Sequence, residues 1–252
     1  MFARERHGEI RRIVREKRRV IFADLQKALK VSAATLRRDL TELEAAGDLI
    51  RVHGGVLDPA YARAEISFDE RMRRSHAAKR SIAAAAAALI PLGATVIIDA
   101  GSTCLEAGKA LLGRKDVRII THSVALVAAG AHADAGIFCL GGELRRVSGA
   151  LVGGNALGVL AEIRADFAFV GASGLSLEDG CSTTELTEAE IKKAILTRVK
   201  RTVLLADFSK WNAPSTVRFA KWDQIDDWIT DQFPREEEMA TLKAQKVAIH
   251  KA

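Results

Sequence analysis

Along the first 47 positions apolar residues return every three or four places, whereas beyond position 94 they gather in short unbroken runs. The first spacing belongs to amphipathic helices, the second to strands buried on both faces. A first helix is predicted over 4–17, with Ile10, Ile13 and Val14 on one stripe, and a second over 22–29, with Phe22, Leu25 and Leu29 as its apolar face. Lys30, Val31 and Ser32 leave room only for a tight connection. The third helix starts at Ser32, whose hydroxyl can take a free backbone N–H of the first turn, and Gly47 stops it. Its Leu36, Leu40 and Leu43 fall at i, i+4 and i+7 and must face the other two helices. LIRVHGGVL, residues 49–57, then reads as two extended runs about Gly54 and Gly55, a hairpin.

Residues 58–75, with Pro59 and the charged stretch DERMRR, read as a linker with helical character toward its end. From His76 the pattern changes. Apolar strands TVIID (95–99), VRIIT (117–121), GIFCL (136–140), FAFVG (167–171), TVLLAD (202–207) and DWIT (227–230) alternate with helical segments. That alternation implies a largely parallel sheet covered on both faces. The expected fold class is α/β: a small N-terminal winged helix-turn-helix domain over 1–57, then a larger α/β domain with a mostly parallel sheet over 76–252.

Composition adds location rather than class. The 252 residues are 48% hydrophobic and 28% charged, the balance of a folded chain. Within the net charge of +6, residues 1–80 hold 19 Lys and Arg against 12 Asp and Glu, and residues 81–252 hold 19 against 20. The basic excess sits in the N-terminal third, as expected if that part meets a polyanion. Cys104, Cys139 and Cys181 are odd in number and far apart, which argues against a disulfide framework or a zinc site, and the six histidines show no metal-ligand spacing. Neither a metal nor an organic cofactor is expected. The start, MFARERHGEIRR, has no apolar stretch behind its charges, so no secretory signal is expected. The alanine-rich run 82–98 is broken by Pro91 and Gly93 and makes a poor membrane span. A cytoplasmic protein without a membrane partner is the expectation.

With Leu36, Leu40 and Leu43 inward, Ala34, Arg38, Thr41 and Ala45 project from the opposite side of the third helix, flanked by Thr35 and Arg37. Small residues interleaved with Arg and Thr suit a surface that approaches base edges in a major groove. Arg38 is then the base reader and Arg37 the phosphate grip, with the two roles exchangeable; Ser32 lies at the same end, and Arg51 and His53 of the hairpin can touch backbone or minor groove. An arginine pair alone would more simply solvate an exposed face. The capped helix, leucine stripe, hairpin and charge asymmetry together favour double-stranded DNA as a partner.

VSAATLRRDLTELEAAGDLIRVHGG resembles the N-terminal signature of the DeoR family of bacterial transcriptional regulators, in which a V-S-x-x-T-[IL]-R-R-D-L helix precedes an H-G-G wing. DAGST (99–103), THS (121–123), GGELR (141–145), GASGL (171–175), EAEIKKA (188–194) and LLADFSK (204–210) resemble that family's sensor-domain blocks in order. The resemblance implies a repressor whose C-terminal domain looks like the sugar-phosphate isomerase fold and binds a phosphorylated metabolite, usually a sugar phosphate.

The residues themselves point the same way. A strand, the loop of Gly101, Ser102 and Thr103, and a helix starting near Thr103 together offer backbone N–H groups and a helix dipole to an anion. Thr121, His122 and Ser123, Gly141 and Gly142, Gly171 to Ser173, and Asp207 with Lys210 follow other strands, at the edge where open α/β sheets place ligands. Lys210 is the phosphate counter-charge expected; Asp99 and Asp207 suit sugar hydroxyls or the fixing of loops. Glu188 and Lys192 stand i, i+4, the spacing of an ordinary surface ion pair, and only the resemblance makes them pocket candidates. The family commonly has Asn where His122 stands, Asp where Ser173 stands and Asn where Glu185 stands, so the ligand need not be the usual one. An isomerase-like enzyme with Asp99, Glu188 or Asp207 as general base is the rival class; no catalytic residues are expected, because a catalyst has little use for a DNA-reading module. Two recognition helices matched to paired half-sites imply a homo-oligomer, a dimer or tetramer.

Overall fold

The computed structural model describes residues 3–17, 19–52, 55–58 and 67–252, in two compact units, Met1–Glu65 and Ile66–Ala252. The first unit runs α1 (Ala3–Lys17), β1 (Arg19–Ile21), α2 (Phe22–Leu29), α3 (Ala33–Ala45), β2 (Ile50–Val52) and β3 (Gly55–Leu57). Ile10, Ile13 and Val14 of α1, Leu25 and Leu29 of α2, and Leu36, Leu40 and Leu43 of α3 close one core with Val20, Leu49 and Val56. The leucine stripe thus faces inward, as its spacing predicts. Lys30 takes a left-handed conformation at φ 53°, which makes the tight turn between α2 and α3. Gly47, at φ +75°, ends α3 while Asp48 N–H returns to the Leu43 carbonyl at 2.9 Å. The hairpin of β2 and β3 gains a third strand that periodicity did not reveal: β1 pairs antiparallel with β3, in the order β1-β3-β2.

The second unit begins ten residues earlier than the apolar pattern implies, at 66 rather than 76. Helix α4 (Phe68–Arg73) is capped by Ser67 and turns Phe68 and Met72 onto the core, so the end of the expected linker is part of the sensor fold. After it come α5 (His76–Ala88), β4 (Thr95–Ile98), α6 (Ser102–Leu111), β5 (Arg118–Thr121), α7 (Val124–Ala129), β6 (Gly136–Cys139), β7 (Glu143–Arg145), β8 (Ala150–Val152), α8 (Gly154–Glu162) and β9 (Ala165–Gly171). The chain continues through β10 (Gly174–Ser176), β11 (Gly180–Thr183), α9 (Leu186–Leu196), β12 (Val199–Leu205), β13 (Val217–Ala220), β14 (Asp227–Thr230), α10 (Glu236–Ala244) and β15 (Ala248–Lys251).

Seven strands form one parallel sheet in the order β15-β14-β12-β9-β4-β5-β6. Alternate residues of each strand serve opposite faces. Val96, Ile98, Phe169, Val203 and Leu205 pack with Ile82 of α5 and Leu105 and Leu111 of α6. Ile97, Ala168, Val170 and Leu204 pack with Leu160 of α8, Ile191 and Ile195 of α9, and Leu242 of α10. Trp211, Trp222 and Trp228 stack on that second face with ring centroids 5.1–5.9 Å apart. Each indole N–H is satisfied, by Glu238 Oε2, the Ser176 carbonyl and the Ala206 carbonyl respectively. A smaller antiparallel sheet, β10-β11-β13, and the hairpin of β7 and β8 complete the unit.

Candidate functional site

In the first unit, Ser32, Ala34, Arg37, Arg38, Thr41 and Ala45 are exposed along α3 and Thr35 is half-buried. Ser32 Oγ accepts the Thr35 N–H at 3.1 Å, so the helix opens on its own cap. Arg37 lies 5.6 Å over the Phe22 ring, which leans it back on α2. Arg38 has no hydrogen-bond or ion-pair partner among the described residues. Thr41 Oγ1 donates to the Arg37 carbonyl at 2.9 Å and accepts from Arg51 Nη1 at 3.2 Å, while the Arg51 N–H donates to Glu44 Oε1 at 3.0 Å. Those bonds hold β2's arginine beside the open face of α3. His53 lies outside the described residues.

Sequence reasoning missed Asp39. Its carboxylate, 3% exposed, accepts from Arg6 Nε at 2.6 Å and Nη2 at 2.9 Å and stands 3.0 Å from His7 Nε2, tying α3 to α1. The hydrogen bonds from Arg6 hold it below the usual carboxylate range. A signal was available: Asp39 falls three places after Leu36 and four before Leu43, on the inward stripe, where a carboxylate demands a cation.

In the second unit the sheet order reverses between β4 and β9, where β4 leads on to β5 and β6 on one side and β9 to β12, β14 and β15 on the other. Open α/β sheets bind ligands at the carboxyl end of that switch point. Asp99, which follows β4 and is 1% exposed, occupies it. One oxygen faces His122 Nε2 at 3.0 Å; the other accepts the Gly171 N–H at 2.9 Å and the Lys192 ammonium. Burial pushes the Asp99 carboxyl up, but Lys192 and His122 outweigh it and hold the group well below the usual range. Lys192 also donates to the Gly171 carbonyl at 2.9 Å and lies 5.2 Å over the Phe219 ring. Asp99 is therefore a clamp joining β4, β9 and α9.

His122 is equally enclosed. Its Nδ1 donates to the Leu151 carbonyl at 3.0 Å, and its Nε2 meets both the Ala100 N–H and Asp99 Oδ1 at 3.0 Å. A neutral ring accepts from Ala100; a protonated one donates to Asp99. The surface ion pair allowed by the spacing of Glu188 and Lys192 does not form, because both are buried, at 4% exposure each. Lys192 turns to Asp99, and Glu188 accepts from Arg145 Nη1 at 3.0 Å and Thr183 Oγ1 at 3.4 Å. Arg145, inside the GGELR block, also stands 3.6 Å from Glu185, the N-cap of α9, and was not singled out from the sequence.

The remaining expected residues divide by what engages them. Thr121 donates to the Ile98 carbonyl at 2.7 Å, and Ser123 caps α7 at Leu126. Gly141 and Gly142 are left-handed, at φ +72° and +119°, and a side chain on Gly142 would stand 2.5 Å from the Val152 carbonyl. Gly171 gives its N–H to Asp99, and the Ser173 N–H donates to the Ser182 carbonyl at 2.9 Å. Asp207 caps the turn Phe208–Lys210 by accepting the Ser209 N–H at 3.1 Å. Gly101 precedes α6, which starts at Ser102, one residue before the expected Thr103; both hydroxyl residues are buried in the first turn. Lys210 is half-buried, and burial lowers its ammonium pKa.

Of the cysteines, Cys104 and Cys181 are buried and Cys139 is exposed on β6. Among the described residues no His, Cys, Asp or Glu group is arranged to hold a metal ion, and no helix is long and apolar enough to cross a membrane.

Comparison with known proteins places this architecture. The profile of the DeoR-like helix-turn-helix domain matches residues 6–59, and that of the DeoR C terminal sensor domain matches residues 74–232. The HTH-type transcriptional regulator GolR of Listeria innocua is 30% identical over 92% of this chain and 91% of its own length. The HTH-type transcriptional regulator GlpR of Haloferax volcanii is 33% identical over 82% of this chain and 81% of its own. The glycerol-3-phosphate regulon repressor of Escherichia coli is 29% identical over 91% of each. Among solved structures, the ribose 5-phosphate isomerase A of Methanocaldococcus jannaschii is a distant likeness, 18% identical over 54% of each chain with a TM-score of 0.40. With both of its domains matched in order, and relatives aligned along nearly its whole length, the chain belongs to the DeoR family of transcriptional regulators.

Proposed function

We propose that the protein is a sequence-specific DNA-binding repressor of a carbohydrate catabolic operon, controlled by a phosphorylated sugar or related metabolite bound at the switch point of the second unit. The observation that carries this reading is the outer face of α3, where Arg38 stands exposed between Ala34 and Thr41 and has no partner among the described residues. Small neighbours let such a face approach bases, and an untethered guanidinium can pair bidentately with guanine. The relatives named as repressors support it. Homo-oligomers, in which two copies of α3 span successive half-sites, follow from the palindromic operators such modules read. The metabolite acts by linkage: it changes DNA affinity to the extent that it binds the DNA-competent arrangement differently from the other.

An isomerase reading finds less support. Asp99 is held ionised between Lys192 and His122, Glu188 is bonded to Arg145, and Asp207 caps its own turn, so each candidate base is already engaged. Mobility-shift titration of the full chain on the DNA upstream of its own gene tests the proposal, at about 50 and 200 mM salt and against a panel of sugar and polyol phosphates. Expected are salt-sensitive, sequence-preferring binding and a shift in affinity with one phosphorylated compound. Binding equal on random duplex, or turnover of any of those phosphates, defeats it.

A further inference from the structure

The hairpin of β7 and β8 lies outside the seven-stranded sheet, yet polar contacts tie it to three separate parts of the second unit. At the start of α9, Arg145 Nη1 donates to Glu188 Oε1 at 3.0 Å and the guanidinium stands 3.6 Å from Glu185. At the switch point, the Leu151 N–H donates to the His122 carbonyl at 2.8 Å, and His122 Nδ1 donates back to the Leu151 carbonyl at 3.0 Å. At the tip, the Val147 carbonyl accepts the Phe68 N–H at 2.8 Å. Phe68 opens α4, the first described element after the first unit.

The hairpin is hinged at both ends and stiff between. Gly141 and Gly142 precede β7 and Gly153 follows β8, all left-handed, at φ +72°, +119° and +92°. Glycines of this kind absorb backbone rotation without side-chain cost. Inside the hairpin, the Gly149 N–H returns to the Arg145 carbonyl at 2.9 Å, and Arg145 Nη1 reaches Ser148 Oγ, on a residue 1% exposed, at 3.3 Å. Leu144 and Val147 are exposed, so polar contacts more than apolar packing hold the tip. Lys192, one turn beyond Glu188 on α9, is committed to Asp99, which leaves Arg145 as the cation that meets the buried Glu188 carboxylate. A movement of α9 therefore reaches Arg145 first and Val147, two residues on, with little slack.

We propose that Arg145 is a positioning residue for the effector response. It fastens the β7–β8 hairpin to the start of α9, so that a shift of α9 or of His122 on ligand binding passes through the Val147 carbonyl to Phe68. This rests on the metabolite-controlled reading above and names its route, a chain of hydrogen bonds through one hinged element. Arg145 acts through the hairpin and not by touching the metabolite.

The experiment uses the full chain and amide-resolved hydrogen exchange, with the Phe68 amide reporting the tip and the amides of β4 and β9 reporting the sheet. In Arg145→Met the Phe68 amide exchanges about tenfold faster or more, while β4 and β9 keep their wild-type rates. Arg145→Lys recovers part of the protection, because lysine keeps the charge but not the fork. An unchanged Phe68 rate in Arg145→Met overturns the proposal, and so does a rise shared equally by β4 and β9, the mark of a merely structural role. The second measurement uses whichever compound of the sugar and polyol phosphate panel shifts wild-type DNA affinity. Arg145→Met binds that compound within about threefold of wild type but loses most of its effect on DNA affinity, a split between binding and coupling. Loss of binding with coupling intact in what remains overturns the proposal. So does an unchanged Phe68 rate in wild type saturated with the compound, a result that needs no variant to fold. If no compound of the panel shifts DNA affinity, the metabolite-controlled reading falls, and the Phe68 rates in Arg145→Met still decide whether the hairpin joins α9 to α4.

Discussion

The two regions that carry the chemistry are built on opposite plans. On α3 the residues that matter point outward: Ala34, Arg38, Thr41 and Ala45 are exposed, and Arg38 is tied to nothing described. At the switch point of the second unit, Asp99, His122, Glu188 and Lys192 are nearly sealed from solvent and every one is bonded to a neighbour. On the function proposed above, the difference follows from the partners. A duplex is a broad polyanion that desolvates the reader's side chains only on contact, so the reader can afford loose arginines. A small metabolite must find groups already oriented, and buried charges stay oriented only when mutually compensated.

The comparison can be broken most forcefully at Lys192. Lys192→Met leaves the Asp99 carboxylate buried without its cation and should cost the second unit about 3–5 kcal/mol, seen by calorimetry as a large fall in one of two unfolding transitions. A fall below about 1 kcal/mol would mean that the clamp is not what holds β4, β9 and α9 together.

Asp39→Ala should cost the first unit about 2–4 kcal/mol by the same reasoning, since it strips the cations of α1 of their partner. Here pH offers a second measurement. The folded Asp39 carboxyl lies below its unfolded value of about 3.9. Its contribution is therefore complete above that value and disappears as pH falls through the lower, folded one. The urea midpoint of the first unit should drop as pH falls below about 4 in wild type, and by less in Asp39→Ala.

Smaller effects belong to the exposed face, where only DNA binding should change. Arg38→Ala should cost about 1–3 kcal/mol on cognate DNA and flatten base preference, whereas Arg37→Ala should weaken all sequences alike and reduce the salt slope by about 1. Equal losses from both variants on cognate and random duplexes would remove the division of roles. Smallest is Arg51→Ala, expected to cost under about 1 kcal/mol in binding titrations, since its partners Thr41 and Glu44 are themselves exposed.

The same contrast explains what could be read from the chain alone. The face proposed to read DNA lies on one helix, so a single period of 3.6 sorts Leu36, Leu40 and Leu43 from Arg38 and Thr41, and the structure keeps that sorting of buried from exposed. Six of the seven strands of the parallel sheet were legible because each is a short, largely apolar run. β15, of sequence AIHK, is an edge strand with alternating character, and β10, β11 and β13 are three or four residues long, too short for a period to register. For the sensor site, periodicity could name the loops but not the pairings. Asp99 and Lys192 are 93 positions apart, and only the register of β4 beside β9 makes them neighbours.

The stack of Trp211, Trp222 and Trp228 contains every tryptophan of the chain. Light absorbed by one indole passes readily among rings this close, so the three behave as a single lamp. Trp211 directly follows the turn that carries Asp207 and Lys210. On the function proposed above, its emission should therefore change colour when the metabolite binds, while the first unit, which holds no tryptophan, stays dark to the fluorimeter.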